Sequence, residues 1–254
     1  MTSVAERGRG TDVGTRVRLT PDRVIDAALE LTRERGLDGW SIRDLAHALE
    51  VWPNTIAYHV GDREAILDAV VERVVAMMPN PPADLGWQDW FRAFLYPSRG
   101  IVGRYVGVAR RLCRDGATVP SALPIMDRGI GLLAAAGFGD RAPLAYATLL
   151  NSAILLVALD DDRALAGHGR AAAATTLQTM AAPPGAGAGW ATMQPWLRSW
   201  AQDPDASRAT LYRYTIECLL SGLEADLRAG AGQASGTDPR EGSADSVMTE
   251  SPGS

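Results

Sequence analysis

Between residues 54 and 59 the chain sets an amide, a hydroxyl, a phenol and an imidazole close together, on Asn54, Thr55, Tyr58 and His59. These groups donate and accept hydrogen bonds, and none of them sits in a nucleophile's setting. Ile56 and Val60 are four apart and must share the inward face of a helix. The polar four are then left on its other faces. A helix of about two turns is unstable alone, so its neighbours must hold it while its polar side looks outward. Such side chains on such a helix suit the edges of base pairs in the major groove of DNA. Arg43 and Arg63 flank the stretch, and a guanidinium pairs in fork geometry with guanine or phosphate.

The elements that must position these groups are legible on both sides. Ser41 with Asp44 three residues on is a capping pair, and it predicts a helix with Leu45, Ala48 and Leu49 on its inner face. Glu50 to Trp52 break that helix. Pro53 suits the first turn of the next, where its missing N–H costs nothing. The reading is a helix-turn-helix over 41–60. Trp52 is large for the start of the second helix; it either packs on a thymine methyl or sugar, or covers the turn. Upstream, Thr20-Pro21 cap a helix that runs to about Arg35, with Val24, Ala28 and Leu31 inward and Gly36 ending it. Downstream, Asp62 caps a linking helix to about Met77, with Ile66, Val70 and Val74 inward.

Taken in order, these segments carry a resemblance. Arg35-Gly36-Leu37, Ser41-Ile42-Arg43-Asp44-Leu45-Ala46, Thr55-Ile56-Ala57-Tyr58-His59-Val60 and Arg63-Glu64-Ala65-Ile66-Leu67 are similar, in sequence and spacing, to the DNA-binding domain of the tetracycline-repressor (TetR) family. The resemblance runs from Leu19 to Arg73, about a fifth of the chain. It implies that Arg43 meets a base, that His59 and Arg63 hold phosphates, and that Trp52, Pro53, Asn54, Thr55 and Tyr58 complete the DNA face. Two positions depart from the family pattern. Glu50 stands where a turn glycine is usual, and a left-handed backbone there costs a non-glycine residue about 1 kcal/mol. Ala57 replaces a phosphate-contacting tyrosine, with Tyr58 one place later.

Composition bounds the rest. With 254 residues and 46% hydrophobic content, the chain is long enough for one or two packed cores. The predicted segments are helical and no alternating strand stands out. Cys113 and Cys218 form no C-x-x-C pair, and three scattered histidines spell out no metal site. No apolar leader is present at the amino end, which predicts a cytoplasmic protein. Net charge is −5. Residues 1–76 hold 10 arginines against 13 acids, where a DNA-binding domain is usually basic. Four of those arginines, Arg7, Arg9, Arg16 and Arg18, precede the first helix. Every basic residue is arginine; there is no lysine.

We read residues 1–17 as a disordered arm, 18–78 as the helix-turn-helix DNA-binding domain, 83–229 as a second helical domain, and 230–254 as a disordered tail. Pro79-Asn80-Pro81-Pro82 marks the boundary. Helices are predicted over Trp87–Tyr96, Ile101–Arg114, Leu123–Ala136, Arg141–Leu159, Gly169–Met180 and Asp205–Arg228. Arg141–Leu159 is almost uncharged and long enough to raise a membrane span. Pro143, Tyr146, Thr148, Asn151 and Ser152 argue instead for a buried or interface helix, so no membrane partner is expected. In the last helix Tyr212, Ile216, Leu219, Leu223 and Leu227 form one stripe. Leu211, Thr215, Cys218, Gly222 and Ala225 form a second, and two stripes imply two packing partners.

Motifs for catalysis fail. Pro183–Gly189 lacks the Gly-Lys-Ser/Thr of a phosphate loop and precedes no good helix start. Gly129-x-Gly131 and Gly137-x-Gly139 carry no such motif either. His168 sits between glycines in a loop, with no nucleophile set beside it. Asp160-Asp161-Asp162 point in different directions on a helix, with no second acidic cluster to pair with. No catalytic residue, metal or cofactor is expected. The resemblance implies an all-α homodimer: an N-terminal three-helix helix-turn-helix domain followed by a C-terminal helical ligand-binding and dimerisation domain, joined to its copy through 141–159 and 205–228. A small-molecule pocket is expected among Trp87, Trp90, Phe94, Tyr105, Met126, Phe138 and Asn151. Trp90 and Phe94 would form one wall, Tyr105 and Asn151 would be hydrogen-bond partners, and Arg104 or Arg111 would meet any carboxylate. The expected function is a transcriptional regulator, a repressor released from a palindromic double-stranded operator by a flat or greasy effector. The alternative is a sensor or interaction protein of the same fold that has lost specific DNA binding, with Glu50, Ala57 and the acidic amino domain as its marks.

Overall fold

The structure is a computed structural model, and it describes residues 19–116, 119–165, 175–176 and 179–234. The expected arm and its arginines, His168, most of the Gly169–Met180 helix and the tail from residue 235 lie outside the described residues. Among the described residues there is no strand, and the fold is all-α.

Four helices come first: α1 (Pro21–Arg35), α2 (Ile42–Ala48), α3 (Pro53–Val60) and α4 (Arg63–Ala76). Their ends follow the local chemistry. The Thr20 hydroxyl accepts from the Arg23 N–H. Ser41 and Asp44 form a reciprocal capping box, each side chain accepting from the other's backbone N–H at 3.3 and 2.7 Å. Asp62 accepts from the Ala65 N–H at 2.9 Å. Trp40 immediately precedes the Ser41 cap and Leu45 lies four residues past it, and both are buried. That is the position of a hydrophobic staple, which fixes the angle at which the chain enters a helix. Within α2 the inward pair is Leu45 and Ala46, while Ala48, expected inside, is exposed. In α4 the buried set is double, Ile66, Val70 and Val74 on one side and Leu67, Val71 and Val75 on the other. This helix is therefore packed on two faces, toward α1 and toward the helices of the second domain.

The later helices are α5 (Trp87–Val102), α6 (Val108–Asp115), α7 (Leu123–Leu133), α8 (Ala142–Leu165), α9 (Ala188–Gln202) and α10 (Pro204–Ala234). Helix α5 runs past its expected end at Tyr96 because Pro97 lies on its exposed side, where water satisfies the carbonyl that proline leaves unpaired. The expected helix Ile101–Arg114 is split at Gly107, whose φ of 95° starts α6. Helix α9 corrects the reading of Pro183–Gly189: it starts at Ala188 behind Gly187 with no side-chain cap and is held by its packing on α10. Gly129 of α7 is a point of close approach. A Cβ there would come within 2.7 Å of the Tyr146 ring of α8 and 3.2 Å of Trp90.

One continuous apolar core runs from Val24 of α1 to Leu220 of α10, with Trp90, Phe91 and Phe94 among its largest fully buried side chains. The segment Pro120–Arg163 is long and apolar enough to cross a membrane, but it is broken into separate helices and its apolar window is 44% buried.

Candidate nucleic-acid interface and internal cavity

Helix α3 is anchored by the fully buried Ile56, with Val60 half-buried against the core as expected, and presents its polar side outward. Asn54 and Ala57 are exposed, and Thr55 and His59 are half-buried. Tyr58 is 86% exposed and Trp52 82%. Trp52 therefore does not cover the turn. Pro53 opens the helix at its first position. The Tyr58 and His59 rings meet edge to face at 5.4 Å, so the pair forms a single outward aromatic and imidazole edge. Arg43 is exposed on α2. The turn between the two helices closes through the Val51 N–H on the Ala46 carbonyl, and Glu50 sits at φ 56°.

Arg63 stands apart from this face. Its Nη2 donates to the carbonyls of Leu37 and Trp40 at 3.3 and 3.4 Å, and its guanidinium lies 5.5 Å over the Trp40 ring. Trp40 in turn donates its indole N–H to Thr32, whose hydroxyl bonds the Ala28 carbonyl. The guanidinium is thus spent on closing the α1–α2 loop, which places it poorly for the phosphate contact expected of it. Trp40 and this chain of bonds went unread in the sequence. A tryptophan next to a helix cap was the available signal.

Behind this domain lies an apolar cavity of about 40 Å³. Val75 of α4 and Met78 just beyond it line one side. Phe94, Ser98 and Val102 of α5, Leu112 of α6, Ile125 of α7, Tyr146 and Ala153 of α8, and Tyr212 of α10 enclose the rest, with Arg99 at the edge. Of the residues expected to line a pocket, Phe94 alone lines this one. Trp90 packs behind Phe94 at 5.4 Å and gives its indole N–H to the Pro81 carbonyl. Trp87 and Phe138 are spent on each other, edge to face at 5.5 Å. Tyr105 directs its hydroxyl to the Met77 sulfur. Met126 and Asn151 are exposed. The reason is physical: aromatic side chains bury the most area and so mostly make the core, and the cavity wall is largely aliphatic, with Phe94, Tyr146 and Tyr212 as its aromatics. Arg111 is likewise committed, to Glu64, Asp68 and Asp115. Burial pushes the Tyr146 hydroxyl up to about 12, so it is a neutral donor at any working pH.

Among the described residues, polar contacts at three places join the first four helices to the later ones. Arg111 of α6 reaches Glu64 and Asp68 of α4 at 3.0 and 2.6 Å. Glu72 of α4 accepts from the Ser121 N–H at 3.1 Å. The third is a single peptide unit. The Val106 carbonyl accepts the Leu37 N–H at 2.8 Å, and the N–H of the same unit, on Gly107, donates to Asp161 at 2.9 Å. Asp161 is buried, and its carboxyl is pushed up to about 6, first by burial and further by Asp160, against the opposing pull of the Gly107 N–H. Gly107 has to be glycine here: φ is 95°, and a Cβ would stand 3.1 Å from that of Leu37.

A family profile described as "Bacterial regulatory proteins, tetR family" matches residues 24–70. The tetracycline repressor protein class D of Escherichia coli is 37% identical over 105 residues, covering 40% of this chain and 44% of that protein. The chain thus matches less than half the length of that curated relative. Among solved structures, a possible TetR family transcriptional regulator of Streptomyces coelicolor A3(2) is 25% identical, covering 81% of this chain and 98% of that one, with a TM-score of 0.66. The TetR family protein ActR of Streptomyces coelicolor, solved in complex with actinorhodin, is also 25% identical, covering 85% and 100%, with a TM-score of 0.62. The amino-terminal motif, the curated relative and the shared helical fold all support a helix-turn-helix regulator of the TetR family.

Proposed function

We propose that the protein is a cytoplasmic, ligand-responsive transcriptional repressor, without enzymatic activity, that binds a palindromic operator as a homodimer. The observation that carries this is the outward face of α3. Trp52 and Tyr58 stand 82% and 86% exposed beside Asn54 and Arg43 while only Ile56 is buried. Folding gives no reason to hold two large aromatics in water, and base edges, sugars and phosphates do. Residues 18–78 act as the DNA-binding domain and 83–229 as the sensing and dimerising one.

The cavity supports a sensing role through its tightness. A pocket for an organic ligand usually measures about 300 Å³ or more, far above the 40 Å³ of this half-open cavity. An effector enters only as the surrounding helices part. Val75 and Met78 lie at the end of α4, and the other end of α4 adjoins the α3 reading helix. Parting the cavity tilts α4 and moves α3, and with it the spacing of the two reading helices, which must sit about 34–36 Å apart on one face of DNA. ActR, which was solved with actinorhodin bound, shares this fold.

The dimer reading rests on α8 and α10. Leu144, Leu155 and Leu159 are exposed on α8 and Asn151 falls in the same row. On α10, Tyr214, Cys218, Gly222 and Ala225 are exposed. These faces make a four-helix contact about a two-fold axis.

Mobility shift on the chain's own upstream DNA across a salt series tests the proposal. Specific binding with a steep salt slope is expected, and Tyr58→Ala should lower affinity for the specific site more than for random DNA. Folded dimer that prefers no sequence would overturn it in favour of a sensor without DNA binding, the reading that the acidic amino domain and Ala57 favour.

A further inference from the structure

Most of the cavity lining is hydrocarbon, and its charged side chain is Arg99 of α5, at one edge. Its Nη2 reaches Asp160 of α8 at 3.3 Å and its guanidinium lies 5.5 Å over the Tyr212 ring. Its Nε is buried with no hydrogen-bond partner. A guanidinium N–H left buried and unpaired is among the costlier defects a fold carries. The neighbouring charges do not relieve it. Arg99, Arg163 and Arg208 all approach the single carboxylate of Asp160, at 3.3, 3.8 and 3.5 Å. Arg208 is shared with Asp205, which is largely exposed. Asp161, the next acid, is turned to the Gly107 N–H. The cavity edge therefore combines positive charge in excess over its nearest carboxylate with a donor that has no acceptor.

The other polar groups of the lining are partly spent. The Ser98 hydroxyl donates to the Phe94 carbonyl at 2.6 Å, and the Tyr212 hydroxyl donates to the Leu95 carbonyl at 3.0 Å. Each keeps lone pairs and no free proton, so neither serves an acceptor on a ligand. Arg99 remains.

We infer that the effector is an organic acid, an apolar body carrying one anionic oxygen that seats against Nε of Arg99. This rests on the cavity being the sensing site. It replaces Arg104 and Arg111, the arginines singled out in the sequence: Arg104 is exposed on an adjoining groove that Arg99, Asp160 and Arg208 also line, and Arg111 is held by three acids. The anion completes the guanidinium's hydrogen bonds and competes with Asp160 for it. The hydrocarbon body occupies the space between Phe94, Tyr146 and Ala153. A neutral hydrophobe fills the same space and leaves Nε unpaired, so the site discriminates by charge as well as by shape.

The test uses decanoic and 2-naphthoic acids and their carboxamides, with binding to the full chain read by calorimetry. At least one acid should bind at least tenfold more tightly than its carboxamide, whose carbonyl also accepts from Nε but carries no charge, and Arg99→Met should remove that ratio by weakening the acid more than the carboxamide. If Arg99→Met does not fold, the wild-type ratio decides alone. Equal binding of acid and carboxamide overturns the inference, as does binding of neither. Ala153→Phe, which fills the cavity, separates this from the underlying reading. If it abolishes binding of both compounds while they bind the wild type equally, the cavity stands and the role of Arg99 falls. If it leaves acid binding unchanged, the cavity itself is not the site.

Discussion

Glu50 holds a left-handed backbone at φ 56° in the turn between α2 and α3. A side chain there costs about 1–2 kcal/mol, and a glycine gives back about 0.4–1 kcal/mol through the freedom it adds to the unfolded chain. Glu50→Gly should therefore stabilise the protein by about 0.5–1 kcal/mol, seen as a higher urea midpoint at unchanged m value, and remove a negative charge near the DNA face. Unchanged or lower stability would show that Glu50 makes a compensating contact. Arg43 and Arg63 should then separate cleanly. Arg43→Ala should cost about 1–3 kcal/mol of operator affinity at unchanged fold stability. Arg63→Ala removes the ligand of two loop carbonyls and the cation over Trp40. Its effect should appear as lost thermal stability, with the salt slope of DNA binding unchanged. A salt slope that falls by about one unit would restore Arg63 as a phosphate contact.

At the scale of the element, α8 and α10 show how one helix serves two partners. In α10 Tyr212, Ile216 and Leu220 are buried within the chain, and Cys218, Gly222 and Ala225 face out. The sequence showed both stripes, because helical periodicity is local. Which stripe faced inward was decided by distant helices, and Ile216 and Leu223 both belong to the inner one. Ile216→Glu should accordingly unfold the chain. Leu155→Glu, at a side chain 62% exposed on α8, should yield a folded monomer by light scattering with its helical content intact. A dimer that survives Leu155→Glu would place the interface elsewhere. The same division explains the rest. The caps of α2 and α4 and the polar face of α3 were legible because each is written within a few residues. The cavity was not, because its walls come from residues as far apart as Val75 and Tyr212 and are ordinary aliphatic types for the most part. Tryptophans, the conspicuous letters, went to the core.

At the scale of the whole molecule, the polar link between the later helices and the first four passes through few atoms. The Val106–Gly107 peptide unit is bonded on one side to Leu37, in the loop between α1 and α2, and on the other to Asp161 of α8. Asp161 is buried and its carboxyl titrates near 6, against about 3.9 in an unfolded chain. The sign is set by proton binding. Between about pH 4 and 6 the native state holds the proton that the unfolded state has released, so stability falls as pH rises through that window. The contribution is full below about 4 and gone above about 6, and amounts to about 3 kcal/mol at most. Asp161→Asn keeps an acceptor for the Gly107 N–H and abolishes the titration. It should flatten the stability profile between pH 4 and 6 and preserve effector release of DNA. Asp161→Ala removes the acceptor as well. It should leave effector affinity intact while weakening the coupling between effector and operator, typically worth about 1–3 kcal/mol in such systems. The readout is the operator affinity measured with and without saturating effector. If Asp161→Ala leaves that ratio unchanged, the signal travels by α4 and the Arg111 contacts alone, and the peptide unit is only a hinge pin.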